Sequence, residues 1–256
     1  MPGYGFGCYK AHGDELVNAM SAAWKDGYRL YDTAAYYENE QTMARELASW
    51  QESEYFLISK IWPTDFDDPV AALDKSLARL GRDYLDACLL HWPGTDEKRM
   101  LSAWEKLMAQ TDKIRTLGVS NFLQVHLEAI HAAFGVWPAL NQIEIHPWWQ
   151  ERDLCGFCAA RNIAVMAWSP LGRGTELDDQ TIKAIAAELG REPAQVILRW
   201  HIQENHVPIP KSVHPDRIAA NADVFDFELN DSQMAAIRAL NRPDGKRGAD
   251  PLTFNG

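Results

Sequence analysis

The feature that most constrains the fold is a regular alternation of short apolar runs with longer amphipathic stretches along the whole chain. Apolar runs of about four to eight residues predict buried strands, whereas apolar positions three or four residues apart predict helices. Eight strands are predicted in this way, and they lie at residues 4–8, 29–33, 55–61, 85–91, 115–120, 139–145, 164–169 and 207–212. Helical patterns follow the strands, which predicts a parallel sheet with helical crossovers.

The helical stretches carry the spacing and the end signals of amphipathic helices. One face of the stretch before the fourth strand bears four apolar residues, namely Val70, Leu73, Leu77 and Leu80. Gly81 and Gly190 follow two such patterns, at the position where a left-handed residue commonly ends a helix. Pro193 predicts the start of a second helix between the seventh and eighth strands, because proline is favoured at the first helical position. A further helix is predicted over 231–240, and a loop after it.

Eight strand–helix units predict an α/β fold of the (β/α)8 TIM barrel type in a single domain over residues 1–256. One extra helix is expected before the seventh barrel helix and another at the C-terminus. Barrels of this kind use about 250 residues in one domain. Neither common Gly-rich nucleotide-binding fingerprint occurs in the chain, so a nucleotide would have to be held by another geometry.

Composition disfavours several classes of function. The chain has 25 Lys and Arg against 36 Asp and Glu, a net charge of −11, and this sign opposes binding to nucleic acid or to an anionic membrane. No apolar run approaches the roughly 18 residues that span a bilayer, and no signal peptide is recognised. Four cysteines are too few for a disulfide framework. We therefore expect a cytoplasmic protein.

Polar residues follow the predicted strands at their carboxyl ends. Asp32, Lys60, His91 and Ser120 are separated by 28, 31 and 29 residues, about one strand–helix repeat each. Gln142 in the sixth strand continues the series, and Lys211 with Ser212 ends it. Because the carboxyl ends of the strands in a parallel barrel open onto the face that carries the active site, we expect these residues to converge.

Six segments resemble the aldo-keto reductases, in the order of that family and across almost the whole chain. They are DTAAYYENE at 32–40, LISK at 57–60, LLHWP at 89–93, GVSNF at 118–122, NQIEIHP at 141–147 and IPKS at 209–212. The tail over 248–254 resembles the bacterial branch that includes the 2,5-diketo-gluconate reductases. The resemblance implies the barrel fold and an NADPH-dependent oxidoreductase that reduces a carbonyl group to an alcohol.

The resemblance implies a catalytic quartet of Asp32, Tyr37, Lys60 and His91. Their chemistry suits this reaction, since Tyr37 would protonate the alkoxide that develops as a hydride attacks a carbonyl carbon. Lys60 is expected to lower the pKa of that phenol, and Asp32 to keep the lysine charged. His91 would fix the substrate oxygen by a hydrogen bond. The neighbouring Tyr36 does not fit the family spacing of five residues after the aspartate.

An extended NADP(H) across the barrel mouth is also implied by the resemblance. By position, Ser120, Asn121 and Gln142 would hydrogen-bond the nicotinamide carboxamide. Trp168 would stack on the nicotinamide ring, where many family members have tyrosine.

The segment 211–217 resembles the clamp that binds the 2′-phosphate in the family. Lys211 and Arg217, with the hydroxyl of Ser212 near a helix start, favour a dianionic phosphate and hence NADPH over NADH. Ala220, just before Asn221, replaces an acidic residue that often holds the adenine amino group. The expected cofactor-binding residues are Gly7, Cys8, Tyr9, Asp32, Ser120, Asn121, Gln142, Trp168, Ser169, Leu171, Lys211, Ser212, Val213, Arg217 and Asn221.

The expected substrate pocket is aromatic. Its predicted lining residues are Tyr9, Tyr36, Trp62, Trp92 and Phe122. The loop after His91 and the tail after Pro243 are short, which predicts an open pocket and broad activity on small aldehydes, dicarbonyls and keto sugars. Members of the family usually have a short β-hairpin before the first strand, and in this chain that hairpin is expected to be absent or very short. The histidine pairs 126/131 and 201/206 do not share a helical face, so no metal site is expected.

Two other functions stay open on the sequence. The chain could be an NADPH-binding regulatory or redox-sensing subunit with little turnover, or Lys60 could form a Schiff base in an aldolase barrel. Taken singly, each quartet residue also fits an ordinary structural role. We expect a small carbonyl substrate, no nucleic-acid or membrane partner, and a monomer.

Overall fold

Eight parallel strands pair in sequence order from β1 to β8 in the computed structural model, which describes residues 1–256. The strands are β1 Phe6–Gly7, β2 Leu30–Asp32, β3 Phe56–Ile61, β4 Ala87–Leu90, β5 Leu117–Ser120, β6 Leu140–Glu144, β7 Ala164–Trp168 and β8 His206–Pro208. The predicted number and order of strands are confirmed, and all eight strands are shorter than predicted.

Ten helices surround the sheet or extend from it. They are α1 Gly13–Lys25, α2 Glu40–Leu47, α3 Pro69–Leu80, α4 Glu97–Met108, α5 Gln124–Phe134, α6 Arg152–Ala159, α7 Gln180–Leu189, α8 Pro193–Gln203, α9 Pro215–Ala222 and α10 Asp231–Arg238. Both extra helices are found where they were predicted, as α7 and α10. Gly81 and Gly190 end α3 and α7 with φ of +64°. None of the helices combines the length and the apolar character needed to cross a membrane.

The barrel closes between β1 and β8. The amides of Gly5 and Gly7 donate to the carbonyl oxygens of Pro208 and Pro210, each at 3.1 Å. Because proline has no amide hydrogen, neither proline donates a hydrogen bond back. A Cβ atom at Gly7 would lie 2.9 Å from the carbonyl oxygen of Ile209, so this close approach requires glycine. The missing donors also explain why β8 ends earlier than predicted.

Apolar side chains fill the barrel interior below the mouth. They are Leu30, Ile58, Ala87, Leu89, Leu140, Met166, Val207 and Ile209. Since side chains alternate along a strand, the residue two positions after an interior residue points into the barrel as well. Asp32, Lys60, His91, Gln142 and Trp168 each follow one of these residues by two positions. The strand period therefore places all five in the next layer, at the mouth.

Gly118 in β5 lies where the barrel interior leaves no room for a side chain. A Cβ atom there would lie 2.8 Å from both Leu89 Cδ2 and Leu140 Cγ, and 2.9 Å from the Leu140 carbonyl oxygen. We expect Gly118→Ala to lower the free energy of unfolding in urea by about 1–3 kcal/mol, as overpacking does. The matched control is Gly156→Ala in α6, where a Cβ meets open space; it should stabilise the protein by about 0.5–1 kcal/mol. Equal stabilities of the two variants would contradict this account of the interior.

Candidate active site

Lys60 lies at the centre of the site and is completely buried. Its Nζ donates to the Asp32 carboxylate at 2.7 Å, to the backbone oxygen of Thr33 at 2.7 Å and to Tyr37 Oη at 3.3 Å. These acceptors match the three protons of an ammonium group. Gln142 Nε2 also donates to the Asp32 carboxylate, at 2.7 Å to Oδ1. The ion pair is therefore fixed from both ends.

The charge of Lys60 depends on Asp32. Burial lowers the pKa of Lys60, while the charge of Asp32 and its hydrogen bond oppose that shift. An isolated ammonium at this depth would lose its proton more readily. Asp32 is thus placed to orient the lysine and to favour its charged form, and its catalytic role stays a prediction from the resemblance.

Tyr37 holds its proton in this arrangement. Burial, followed by the charge of Asp32, raises the pKa of Tyr37 well above its ordinary value. The expectation that Lys60 lowers this pKa is not met in this structure, because burial and the charges of Asp32, Tyr9 and Cys8 all act to raise it. A protonated phenol is nevertheless the form in which a general acid begins its reaction.

His91 lies beside the phenol as a neutral imidazole. Burial, with a further contribution from the charge of Lys60, lowers the pKa of His91 well below its ordinary value. Its ring lies edge-on to Tyr37, with 5.6 Å between centroids, and edge-on to Trp62 at 4.8 Å. Asn121 Nδ2 donates to the His91 backbone oxygen at 3.0 Å. A neutral imidazole held in this way can donate one hydrogen bond to a substrate oxygen.

A short 3-10 turn at Ala35–Tyr37 carries Tyr37 back over the mouth. The buried side chain of Asn39 anchors this turn. Its Nδ2 donates to the backbone oxygen of Cys8 at 2.8 Å, and its Oδ1 accepts from Thr33 Oγ1 at 2.6 Å. Asn39 was not predicted as a site residue, although it lies inside the first motif segment.

The four residues expected at the nicotinamide ring lie together on β5, β6 and β7: Ser120 and Trp168 end their strands, Asn121 follows β5, and Gln142 lies within β6. Asn121 Nδ2 donates to Ser120 Oγ at 3.1 Å, and that hydroxyl donates to the Gln142 backbone oxygen at 2.9 Å. Trp168 Nε1 donates to Asn121 Oδ1 at 2.8 Å. The indole ring of Trp168 is therefore tied in place at the mouth, where it is half-buried.

Aromatic rings form the wall of the mouth. Tyr36 stacks on Trp62 with 3.8 Å between ring centroids and planes only 7° apart. Phe254 packs against Trp92 at 4.3 Å and against Trp62 at 5.7 Å. The C-terminal tail was predicted only as a loop, yet through Phe254 it contributes to this wall.

Two of the expected pocket residues differ sharply in exposure. Tyr9 is 47% exposed, and its ring lies 4.9 Å from that of Tyr37. Phe122 is completely buried in the core between strands and helices, where it packs against His126 at 5.6 Å. The prediction that Phe122 presents a surface to the substrate is therefore wrong. The left-handed Asn121, with φ of +61°, marks the turn at which the chain leaves the mouth.

The expected phosphate clamp lies at the start of α9. Lys211 and Arg217 are exposed, and neither takes part in any ion pair of the structure. The buried Ser212 accepts the His214 amide on its Oγ at 3.1 Å. Two cations without carboxylate partners beside a helix start fit a dianionic phosphate. The other expected cofactor residues lie at the ends of β1, β7 and β8 or in α9, and they are Gly7, Cys8, Ser169, Leu171, Val213 and Asn221.

Beside Trp168 lies a buried cluster that the sequence reasoning missed, formed by Glu144, His146 and Glu176. Glu144 and His146 belong to the segment at 141–147, so their alternation at the end of the sixth strand was a signal that could have been used. Nothing in the sequence pattern singles out Glu176. No group of three or more His, Cys, Asp or Glu side chains in the structure is arranged to hold a metal ion.

Known proteins match this chain over nearly its whole length, so the matches include both the barrel and the site. Residues 5–242 match the model of the aldo/keto reductase family. The glyoxal reductase of Bacillus subtilis is 42% identical over 257 residues, which cover 98% of this chain and 92% of that protein. The methylglyoxal reductase DkgA of Escherichia coli is 39% identical over 263 residues, covering 100% and 95%. The solved structure of an Asp-to-Ala mutant of Gox0644 in complex with NADPH matches with a TM-score of 0.96 at 40% identity, covering 100% of this chain and 95% of that one.

Proposed function

The chain belongs to the aldo/keto reductase family, and from this membership we propose that it reduces small aldehydes, dicarbonyls and keto sugars to alcohols with NADPH. The observation that carries the proposal is that Lys60 Nζ contacts both the Asp32 carboxylate and Tyr37 Oη, with His91 against the same phenol. The similarity to a glyoxal reductase and to a methylglyoxal reductase supports small dicarbonyl compounds as substrates.

The chain's own residues handle the proton of this reaction. NADPH supplies the hydride when it is bound. Tyr37 donates its phenolic proton to the substrate oxygen, on which negative charge develops. Lys60 already contacts Tyr37 Oη, so it stabilises the phenolate that remains after the transfer. The neutral His91 orients the carbonyl oxygen by a hydrogen bond and thereby reduces the entropic cost of reaching the reactive geometry.

Residues on both sides of the mouth hold the cofactor. The nicotinamide end is bound by Ser120, Asn121, Gln142 and Trp168. Lys211 and Arg217 bind the 2′-phosphate and so discriminate against NADH, which has a hydroxyl at that position. The aromatic wall of Tyr36, Trp62, Trp92 and Phe254 offers the substrate an apolar surface that suits small, uncharged carbonyl compounds.

Steady-state assays with methylglyoxal, and with NADPH and NADH in parallel, test this function. We expect turnover with a clear preference for NADPH. The double variant Lys211→Ala with Arg217→Ala should raise the KM for NADPH by about 10- to 100-fold, because each cation loses a charge-assisted hydrogen bond, and should leave the KM for NADH nearly unchanged. The control is Lys25→Ala at the end of α1, which should change neither value.

Two results would count against the proposal. Binding of NADPH without turnover of any small carbonyl compound would favour a regulatory subunit. Equal use of both cofactors by the unaltered protein would contradict the assignment of Lys211 and Arg217.

A further inference from the structure

Three ionisable side chains beside the mouth take no part in the proton transfer described above. His146 and Glu176 are completely buried, and Glu144 is 4% exposed. His146 Nε2 lies 3.1 Å from the Glu144 carboxylate, and Nδ1 lies 2.5 Å from the Glu176 carboxylate. The Nε2 contact is a hydrogen bond, whereas the Nδ1 contact is a close ion-pair contact without hydrogen-bond alignment. Only the imidazolium form carries a proton on both nitrogens, so only this form places an N–H group against each carboxylate. This set of three side chains is called the His146 bridge below.

On one side, the bridge holds the C-terminal tail. The two carboxylate oxygens of Glu144 accept the amides of Arg247 and Gly248, each at 2.8 Å. A Cβ atom at Gly248 would lie 2.7 Å from Trp168 Cη2 and 2.9 Å from Glu144 Oε2. The tail backbone is thus fixed directly against the indole ring that is expected to stack on the nicotinamide.

On the other side, the bridge holds the segment that follows β7. Glu176 lies in the 3-10 segment Gly172–Asp178, which begins directly after the expected cofactor residue Leu171. Gly172 has φ of +54°, and a Cβ atom there would overlap the Glu176 carboxylate, so the segment folds tightly onto this side chain. Arg247 donates to Thr175 Oγ1 at 2.5 Å and so joins this segment to the tail.

We propose that Glu144, His146 and Glu176 are positioning residues that hold the tail and the Gly172–Asp178 segment around bound NADPH, and that they do so only while His146 is protonated. This inference rests on the proposed NADPH-dependent function. A neutral imidazole has one N–H group, so loss of the proton leaves one of two buried carboxylates without a donor from the ring. An uncompensated buried charge is strongly destabilising, so the segment that carries it moves toward water. The effect is on retention of the cofactor, and Tyr37 remains the proton donor.

The groups around His146 favour its protonated form. Burial would lower the pKa of His146, but the hydrogen bond to Glu144, the close contact with Glu176 and the charges of both carboxylates outweigh it and raise the pKa above the ordinary 6.5. Burial would likewise raise the pKa of Glu144, but the hydrogen bonds from His146 and from two tail amides bring it below its usual value. His201 approaches from α8, and burial lowers its pKa so far that it stays neutral.

These shifts fix the direction of the pH effect. Because the pKa of His146 is higher in the folded protein than in the unfolded chain, the stabilisation is complete below the unfolded pKa of about 6.5 and is lost as the pH rises through the folded pKa. Affinity for NADPH is therefore expected to fall as the pH rises above about 6.5 and through the raised pKa of folded His146.

Binding of NADPH, followed by quenching of tryptophan fluorescence across the neutral and mildly alkaline range, tests the inference. For the unaltered protein we expect the Kd to rise about tenfold as His146 loses its proton, which corresponds to about 1.4 kcal/mol. His146→Gln should bind weakly at every pH, without the step. Glu176→Gln removes one of the carboxylates that favour the proton, so the step should move to lower pH. If the bridge had a purely structural role, Glu176→Gln would leave the pH of this step unchanged.

Hydrogen exchange without NADPH gives a second, independent measurement. His146→Gln should increase the exchange of the Arg247 and Gly248 amides and of the Gly172–Asp178 segment. The matched control is His131→Gln. It removes a histidine of α5 that stacks on Trp137, away from the mouth. It should leave both segments unchanged and keep the pH step of the unaltered protein, whereas any pH dependence that persists in His146→Gln comes from the cofactor itself.

The possible outcomes separate the two proposals. If the unaltered protein does not bind NADPH at any pH, the proposed function fails, while hydrogen exchange still tests the bridge. If NADPH binds with the same Kd across the pH range and Glu176→Gln behaves identically, the bridge has no positioning role and the proposed function stands. If His146→Gln does not fold, the pH shift in Glu176→Gln decides.

Discussion

Tyr37→Phe is expected to lower the turnover of methylglyoxal by about 100- to 10,000-fold, the range that a positioned general acid contributes. The change removes only Oη, and the ring keeps its contacts with Tyr9 at 4.9 Å and with His91 at 5.6 Å. Affinity for NADPH should therefore stay nearly constant. Single-turnover kinetics measures the first effect, and titration of tryptophan fluorescence with NADPH measures the second.

The neighbouring phenol provides the comparison for this experiment. Tyr36→Phe should have a much smaller effect, because Tyr36 is 53% exposed and its ring stacks on Trp62 without contributing its hydroxyl to the quartet. A larger loss of turnover in Tyr36→Phe than in Tyr37→Phe would show that the proton donor has been assigned to the wrong residue.

Lys60→Met is expected to abolish turnover and to lower the free energy of unfolding by about 3–5 kcal/mol. Methionine fills a similar volume, but Asp32, which is 2% exposed, then remains buried without its cation. Gln142 still donates to this carboxylate, and an amide does not compensate its charge. Urea denaturation followed by tryptophan fluorescence measures the loss of stability.

Two further variants distinguish this cause from a general loss of packing. The double variant Asp32→Asn with Lys60→Met should recover part of the stability and none of the turnover, since it removes both charges. The exposed pair of Arg45 with Asp14 is the control, and Arg45→Ala should cost no more than about 1 kcal/mol. A Lys60→Met variant as stable as the unaltered protein would refute the account of a buried, charged pair.

Asp32, Lys60 and His91 could be located from the sequence because two independent constraints act on them. The strand–helix repeat places each at the end of a strand, and the alternation of side chains places each two positions after an interior apolar residue. Tyr37 is different, because its position depends on the 3-10 turn at Ala35–Tyr37, which has no strand or helix period. The resemblance to the family was needed to choose it over Tyr36.

Contacts between loops could not be predicted in the same way. Glu176 contacts His146, and Arg247 contacts Glu144 and Thr175. These contacts form only because two irregular segments fold over the end of β6. Periodicity says nothing about such segments, since no repeated spacing relates their residues. Phe254 reaches the aromatic wall from a predicted loop for the same reason. Strand periodicity likewise could not show that Phe122 lies behind the mouth, because the chain turns at the left-handed Asn121.

The seam between β1 and β8 has a consequence for the synthesis of the protein. Gly5 and Gly7 leave the ribosome roughly 200 residues before their partners Pro208 and Pro210, an interval on the order of 10–40 s. During that interval the outer edge of β1 is an unpaired strand edge of the kind that promotes aggregation. The last strand can add only carbonyl acceptors to this edge. Protection of nascent β1 by a chaperone should therefore affect the yield of active protein more than protection of any later strand.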